Sequence, residues 1–262
     1  MPFLYLIGDH MKTLIWDFDG VIVDSIRECH EIFLATLDRE KTALANYAGV
    51  SELSETTFEN FSEFRSKSVN SADFYGNYIL LQQGRQLNDA NLSEISSKIE
   101  SFLRYMDAVF YEERDRLLKL KGKAYYDSLK VYPGIAKTLK KLSEAGIRQA
   151  IMSARDKGSI AQIILHFSIP DVFEYVIGHE VDKGSRHVKE KQIKLLKVHF
   201  EQPPNPELKY YFIDDIPFNL KKAQGFATLL FPAWGYGKLD PNYVSAQVIK
   251  KPDDLVDLLL EV

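Results

Sequence analysis

Lys12-Thr13-Leu14-Ile15-Trp16-Asp17-Phe18-Asp19-Gly20 is a short apolar run that stops on a carboxylate, adds a second carboxylate two positions later and turns on a glycine. Such a run fits a strand buried on both faces, and the glycine lets the chain double back. The pattern recurs at 148–153 (RQAIMS), 173–178 (FEYVIG), 209–215 (KYYFIDD) and 227–231 (ATLLF), and more weakly at 246–249. Helical segments alternate with these strands. The stretch 135–145 carries Ile135, Leu139 and Leu142 at helix spacing, follows Pro133-Gly134 and stops before Gly146, as start and stop signals require. Further helices are expected at 159–167, 189–200, 217–224 and 253–260, the last opened by Pro252.

This alternation predicts an α/β fold: a parallel, Rossmann-like sheet flanked by helices. The interval 26–130 breaks the rhythm, with helix-like stretches at 26–37 and 92–119 and few β-branched runs. The second stretch is read as one amphipathic helix carrying Ile95, Ile99, Phe102, Leu103, Met106, Val109 and Phe110. The expected organisation is therefore a catalytic core of residues 11–25 and 131–262, with an all-helical cap domain, 26–130, inserted after the first core strand. Residues 1–10 stand apart as a native extension or a cloning remnant. Gln202-Pro203-Pro204-Asn205-Pro206 is expected to be a stiff surface connection.

The 262 residues are 45% apolar and 27% charged, with a formal net charge of −4. Nothing here favours general affinity for nucleic acid or an anionic membrane. No apolar run approaches the roughly 20 residues that span a bilayer. The single cysteine, Cys29, has no intrachain partner. It is read as a packing residue, and its isolation fits a reducing cytoplasm.

Ligands of a parallel α/β sheet bind beyond the carboxyl ends of its strands. Asp17 and Asp19 follow the first expected strand, Ser153 the second and Asp214-Asp215 the fourth. A carboxylate attacks phosphorus directly to give an acyl phosphate. Two approaching anions then need a cation, and Mg2+ prefers a few carboxylate oxygens with water and phosphate, which Asp17, Asp214 and Asp215 supply. Asp19 is placed to protonate the leaving alcohol and later to activate water, and crowding by other carboxylates is expected to keep it protonated in the first step. The Ser153 hydroxyl and the Ala154 amide are candidates to hold a phosphoryl oxygen. A lysine near the start of the helix at 189–200 would neutralise charge, with Lys183, Lys189, Lys191 and Lys194 all eligible.

The stretch Asp17-Phe18-Asp19-Gly20-Val21-Ile22-Val23-Asp24-Ser25 resembles the first motif of the haloacid dehalogenase-like hydrolase superfamily, in its common phosphatase form. Val131-Tyr132-Pro133-Gly134, with Leu139 and Gly146, is similar to the segment leading to motif two, which ends in Ser153. Lys189, four residues before Ile193, matches motif three, and Phe212-Ile213-Asp214-Asp215 matches motif four. Trp234-Gly235-Tyr236-Gly237 looks like the loop after the fifth strand in phosphoglycolate phosphatase-like members, and the insertion resembles the helical type-one cap.

The resemblance implies that Asp17 is nucleophile and magnesium ligand, and that Asp19 is acid/base and lends its backbone carbonyl to the metal. It implies Ser153 and Lys189 as phosphate ligands, and Asp215, assisted by Asp214, as the motif-four metal site. The second aspartate, Asp19, argues against a dehalogenase. Two departures stand out: Lys189 is followed by Glu190 rather than proline, and Asn219 occupies the later acidic position of motif four. The expected reaction is hydrolysis of a small phosphorylated metabolite by a monomer or homodimer. A sugar-phosphate mutase and a non-enzymatic magnesium- or phosphate-binding protein are the alternatives; a phosphonate-cleaving enzyme would need a cap lysine that the sequence does not single out. Specificity is expected from the cap, where Arg65 and Lys67 are the anion-contact candidates and Tyr75 and Tyr78 are pocket candidates.

Overall fold

A computed structural model describes residues 12–201 and 208–260. The N-terminal extension and the proline-rich connection lie outside the described residues. β1 (Lys12–Trp16) leads through a tight loop to a short β2 (Val23–Asp24). Helices α1 (Ile26–Arg39), α2 (Lys41–Ala48), α3 (Phe58–Arg65), α4 (Ser71–Gln82), α5 (Asp89–Lys98) and α6 (Glu100–Lys121) follow. β3 (Lys130–Val131) returns the chain to α7 (Ile135–Glu144), β4 (Arg148–Met152), α8 (Lys157–His166), β5 (Tyr175–Ile177) and α9 (Val188–Phe200). β6 (Lys209–Ile213), α10 (Pro217–Lys222), β7 (Thr228–Pro232), β8 (Gln247–Ile249) and α11 (Asp254–Leu260) complete the described chain.

Among the described residues, six strands form a parallel sheet in the order β5-β4-β1-β6-β7-β8. The chain builds outward from β1 through β4 and β5, then crosses back to β6 and builds the other way. The reversal beside β1 is where ligands bind in such sheets. Both faces are buried, which explains the unbroken apolar runs. Leu14 and Trp16 of β1 join one core with Ile151, Ile213 and residues of α7, α8 and α11. Ile15 faces the other side with Ala150, Met152 and Phe212, under residues of α9 and α10.

β2 and β3 pair antiparallel, Val23 with Val131 and Asp24 with Lys130. This two-strand stem brackets the helical stretch at both ends. Within it, the single helix expected over 92–119 is instead two, broken at Ile99 (φ −126°, ψ 31°). In a straight helix Leu92 and Leu103 would lie about 16 Å apart. Both instead reach Gly76 of α4, where an added Cβ would meet Leu92 Cδ1 at 2.7 Å and Leu103 Cδ1 at 3.7 Å. The break lets both helices pack on α4. Tyr75 and Tyr78 belong to the same aromatic core rather than a polar pocket: Tyr75 stacks on Phe33, and the Tyr78 hydroxyl donates to Ser54 O. Cys29 is buried there too, and burial, reinforced by Glu28 and Asp19, pushes its thiol up to about 12. Among the described residues no helix is long and apolar enough to cross a membrane.

Candidate active site

β1 ends at Trp16, and the next residue, Asp17, continues the ladder by donating its amide to Ile213 O at 2.9 Å. This places its carboxylate at the carboxyl edge of the sheet, beside β6. β6 ends at Ile213 and delivers Asp214 and Asp215 to the same point. One carboxylate oxygen from each of Asp17, Asp214 and Asp215 lies within 4.8 Å of the others. All three residues are buried.

Their surroundings hold them there. Asn219 Nδ2 donates to both oxygens of Asp214, at 3.2 and 3.0 Å, and the Ile216 amide adds a third bond at 2.8 Å. The amide that replaces an acidic residue at position 219 is thus a donor to Asp214. Asp215 Oδ2 accepts from the Tyr236 amide at 2.7 Å. Its other oxygen, Oδ1, is buried without a hydrogen-bond partner. A buried carboxylate oxygen left unpaired is costly unless something compensates its charge. Together with two further carboxylates, it makes a donor set that fits a hard, oxygen-preferring divalent cation.

Of the candidate lysines, Lys189 reaches the carboxylates. Its ammonium, 1% exposed, donates to Asp17 Oδ1 at 2.8 Å and to Met152 O, and lies 3.3 Å from Asp214 Oδ2. Lys191 instead points outward to Asp182. Burial alone would lower the Lys189 ammonium, but Asp17 and Asp214 hold it above its ordinary range. Burial pushes Asp214 well above the usual carboxylate range, with Asp17 reinforcing the shift and Lys189 opposing it. Asp215 is raised to about 6 by burial, with Arg65 opposing and Asp17 reinforcing. Ser153, at the end of β4, is buried, and its hydroxyl accepts from the Arg155 amide at 3.1 Å. Gln192, one turn beyond Lys189 on α9, ties this loop down through Ser153 O at 2.6 Å and Gly178 O at 2.9 Å.

Asp19 differs from expectation. Crowding by carboxylates does not raise it. Burial alone would, but Arg155 donates to both its oxygens, Nε at 3.0 Å to each and Nη2 at 2.8 Å to Oδ1. Arg155 and, more weakly, Arg65 hold the carboxyl down at about 2, so it is ionised in this arrangement. Its backbone carbonyl faces the helical stretch and accepts from Arg65 Nη2 at 3.2 Å.

The two cap candidates separate. Arg65, at the end of α3, is buried, stacks over Tyr236 with its guanidinium carbon 4.6 Å from the ring centre, and reaches Asp19. Lys67 is held away by Glu63 and Leu87 O, both at 2.7 Å. A small cavity of about 40 Å³ separates the helices from the sheet edge, lined in part by Asp19, Arg65, Asn70, Arg114, Ala154 and Arg155. Among its buried polar atoms Asn70 Nδ2 has no partner, whereas Arg114 pairs with Glu28 through Nε at 3.2 Å and with Asp156 through Nη1 at 3.7 Å. Tyr111 of α6 closes it on the core side by donating to Ala154 O at 2.8 Å.

The family model of haloacid dehalogenase-like hydrolases matches residues 11–217, which contain the whole of this carboxylate–lysine cluster. The chain belongs to the haloacid dehalogenase-like hydrolase family. A curated phosphoglycolate phosphatase of Vibrio vulnificus (strain CMCP6) is 23% identical over 170 residues, 64% of this chain and 61% of that protein, so the match spans less than two thirds of the relative. Among solved structures, a predicted phosphatase from Clostridium acetobutylicum superposes with a TM-score of 0.65 at 15% identity, covering 97% of this chain and all of the other. A haloacid dehalogenase-like family hydrolase from Streptococcus pneumoniae gives 0.62 at 17%, covering 95% and 99%. These likenesses describe the fold.

Four residues of this hydrolase site escaped sequence reasoning: Glu28, Asn70, Arg114 and Arg155. Arg155 stands two residues after Ser153 and was visible as a charge near a strand end. Its carboxylate partner Glu28 is 127 positions away, and nothing local marks the pair.

Proposed function

We propose that this hydrolase is a Mg2+-dependent phosphatase that cleaves a small phosphorylated metabolite through an aspartyl-phosphate on Asp17. The observation that carries the reading is the convergence of Asp17, Asp214, Asp215 and Lys189 at one sheet edge, with Asp215 Oδ1 left unpaired. Asp17, Asp214 and Asp215 would hold the metal, and the Asp19 carbonyl would join them on giving up its bond to Arg65. Bound there, it would offset the repulsion between an attacking carboxylate and a phosphoryl dianion.

The chain's own residues divide the remaining work. Asp17 is the nucleophile. Its bond to Lys189 aims one oxygen and spreads positive charge toward the incoming phosphoryl group. The Ser153 hydroxyl and the Ala154 amide, on the loop pinned by Gln192, hold a phosphoryl oxygen. Asp19, ionised beside Arg155, is set for the base half of the cycle, drawing a proton from water that attacks the aspartyl-phosphate. For the acid half it must first gain a proton, which an arriving phosphoryl dianion promotes by raising its proton affinity. The helical stretch 26–130 acts as the cap. Its Arg65 and the free donor of Asn70 line the cavity beside Asp19 and favour a leaving group that carries acceptors.

The test is hydrolysis of p-nitrophenyl phosphate with and without Mg2+, beside Asp17→Asn. Turnover that needs Mg2+ and drops at least a thousandfold in the variant is expected. A wild-type protein that binds Mg2+ without turnover would leave the binding-protein reading, and equal turnover by both proteins would remove Asp17 as nucleophile.

A further inference from the structure

Arg155 divides one buried guanidinium between two carboxylates from different parts of the molecule. Nε and Nη2 hold Asp19 of the core. Nη1 and Nη2 hold Glu28 of α1, at 2.9 and 2.5 Å. Glu28 is fixed in turn by the Tyr125 hydroxyl and by Arg114 Nε of α6 at 3.2 Å. The Arg155 and Glu28 side chains are 1% and 0% exposed. The Arg155 backbone is tied on both sides, its amide to Ser153 Oγ and its carbonyl to the His179 amide.

A buried chain of two acids and two arginines is a poor way to gain stability, because desolvation roughly cancels the attraction. What it does provide is direction. Asp19 stands two residues from Asp17 and close to a negatively charged cluster. Arg155 turns its carboxylate away from that cluster and into the cavity it shares with Arg65, Asn70 and Ala154. Nothing else among the described contacts of the Asp19 side chain does so with a forked, two-point grip.

We propose that Arg155 is a positioning residue that aims Asp19 at the leaving-group side of the site, and that Glu28 sets the aim of Arg155. Placement of α1 then governs how well the core performs proton transfer, although Glu28 itself does not touch the substrate. This rests on the phosphatase reading with Asp19 as acid/base.

The experiment compares Glu28→Gln and Arg155→Lys with wild type on two esters, with Mg2+ present. p-Nitrophenyl phosphate releases a weakly basic phenolate, whereas glycerol 3-phosphate releases a strongly basic alkoxide that needs a well-placed proton donor. For each variant, the pre-steady-state rate of the first step, which releases the alcohol or phenolate before the shared hydrolysis of the aspartyl-phosphate, is expected to fall at least tenfold on the alkyl ester and less than threefold on the aryl ester, with KM within about twofold. Melting temperatures monitor folding, and if one variant fails to fold the other decides. Equal losses on both esters, a change confined to KM, or wild-type rates would each overturn the proposal while leaving the phosphatase reading intact. A wild-type protein inactive on both esters overturns the phosphatase reading, and this inference falls with it.

Discussion

Gly20 shows how tightly single residues are specified here. Its φ is +90°, and a Cβ at this position would lie 2.5–2.7 Å from the carboxylate atoms of Asp215. Gly20→Ala therefore combines about 1–2 kcal/mol of left-handed backbone strain with displacement of the Asp215 carboxylate. Turnover is expected to fall at least tenfold and the melting temperature to drop, measured by aryl-phosphate hydrolysis and thermal denaturation. Asp107 offers a pH test away from the chemistry. It is 2% exposed, accepts from the Ser71 hydroxyl, and burial raises it to about 6. The folded protein thus keeps a proton on this carboxyl at pH values where the unfolded chain, near the ordinary 3.8, has lost it. Stability from this group is greatest below about pH 4 and declines as pH rises to 6, a loss of roughly 3 kcal/mol at 1.36 kcal/mol per pKa unit. Asp107→Asn should flatten that part of the stability–pH curve and raise stability at pH 8, as denaturant titrations at several pH values would show. An unchanged curve would rule out Asp107 as its source.

At the scale of elements, the helical stretch is built from short helices with side-chain caps. Thr57, Asn70 and Asn88 each accept from a backbone amide at the start of α3, α4 and α5. Asn88 makes the clearest test, because its cap bond to Asn91 N (2.8 Å) is exposed and far from the carboxylate cluster. Asn88→Ala should cost about 1 kcal/mol with kcat and KM unchanged, which chemical denaturation and steady-state kinetics would check. The β2–β3 stem is anchored differently. Tyr236 joins it to the loop after β7, its hydroxyl accepting from Ser25 N at 2.6 Å and bonding Asp24 Oδ1 at 3.1 Å. Trp234 Nε1 adds a bond to Val21 O. The same short loop therefore orients Asp215 through the Tyr236 amide and steadies the base of the helical stretch.

For the whole molecule, metal binding should register as stability. A ligand that binds only the folded state adds about 2.7 kcal/mol at one hundred times its Kd. Titrating Mg2+ into chelator-treated protein should raise the melting temperature with the logarithm of concentration, and Asp215→Asn should abolish most of the rise. A wild-type protein with no shift would argue against a cation at Asp17, Asp214 and Asp215. The helical stretch is tied to the core by the Tyr111–Ala154 O bond and the buried Arg186–Asp73 pair.

The alternation of apolar runs and amphipathic helices determined by itself the α/β class, the parallel strands and the positions of Asp17, Asp19, Ser153, Lys189, Asp214 and Asp215 at strand and helix ends. That information is local. A strand buried on both faces must be apolar along its length, and its end must carry the polar group that meets the ligand. The choice of Lys189 over Lys191 by direct contact, the unpaired oxygen of Asp215, the break at Ile99 and the ionised state of Asp19 were decided only by the tertiary structure. Three of these depend on a partner distant in sequence: Asp17 for Lys189, Gly76 for the helix break, and Arg155 with Glu28 for Asp19. A pairing between two positions far apart in the chain leaves no local periodicity for sequence to display.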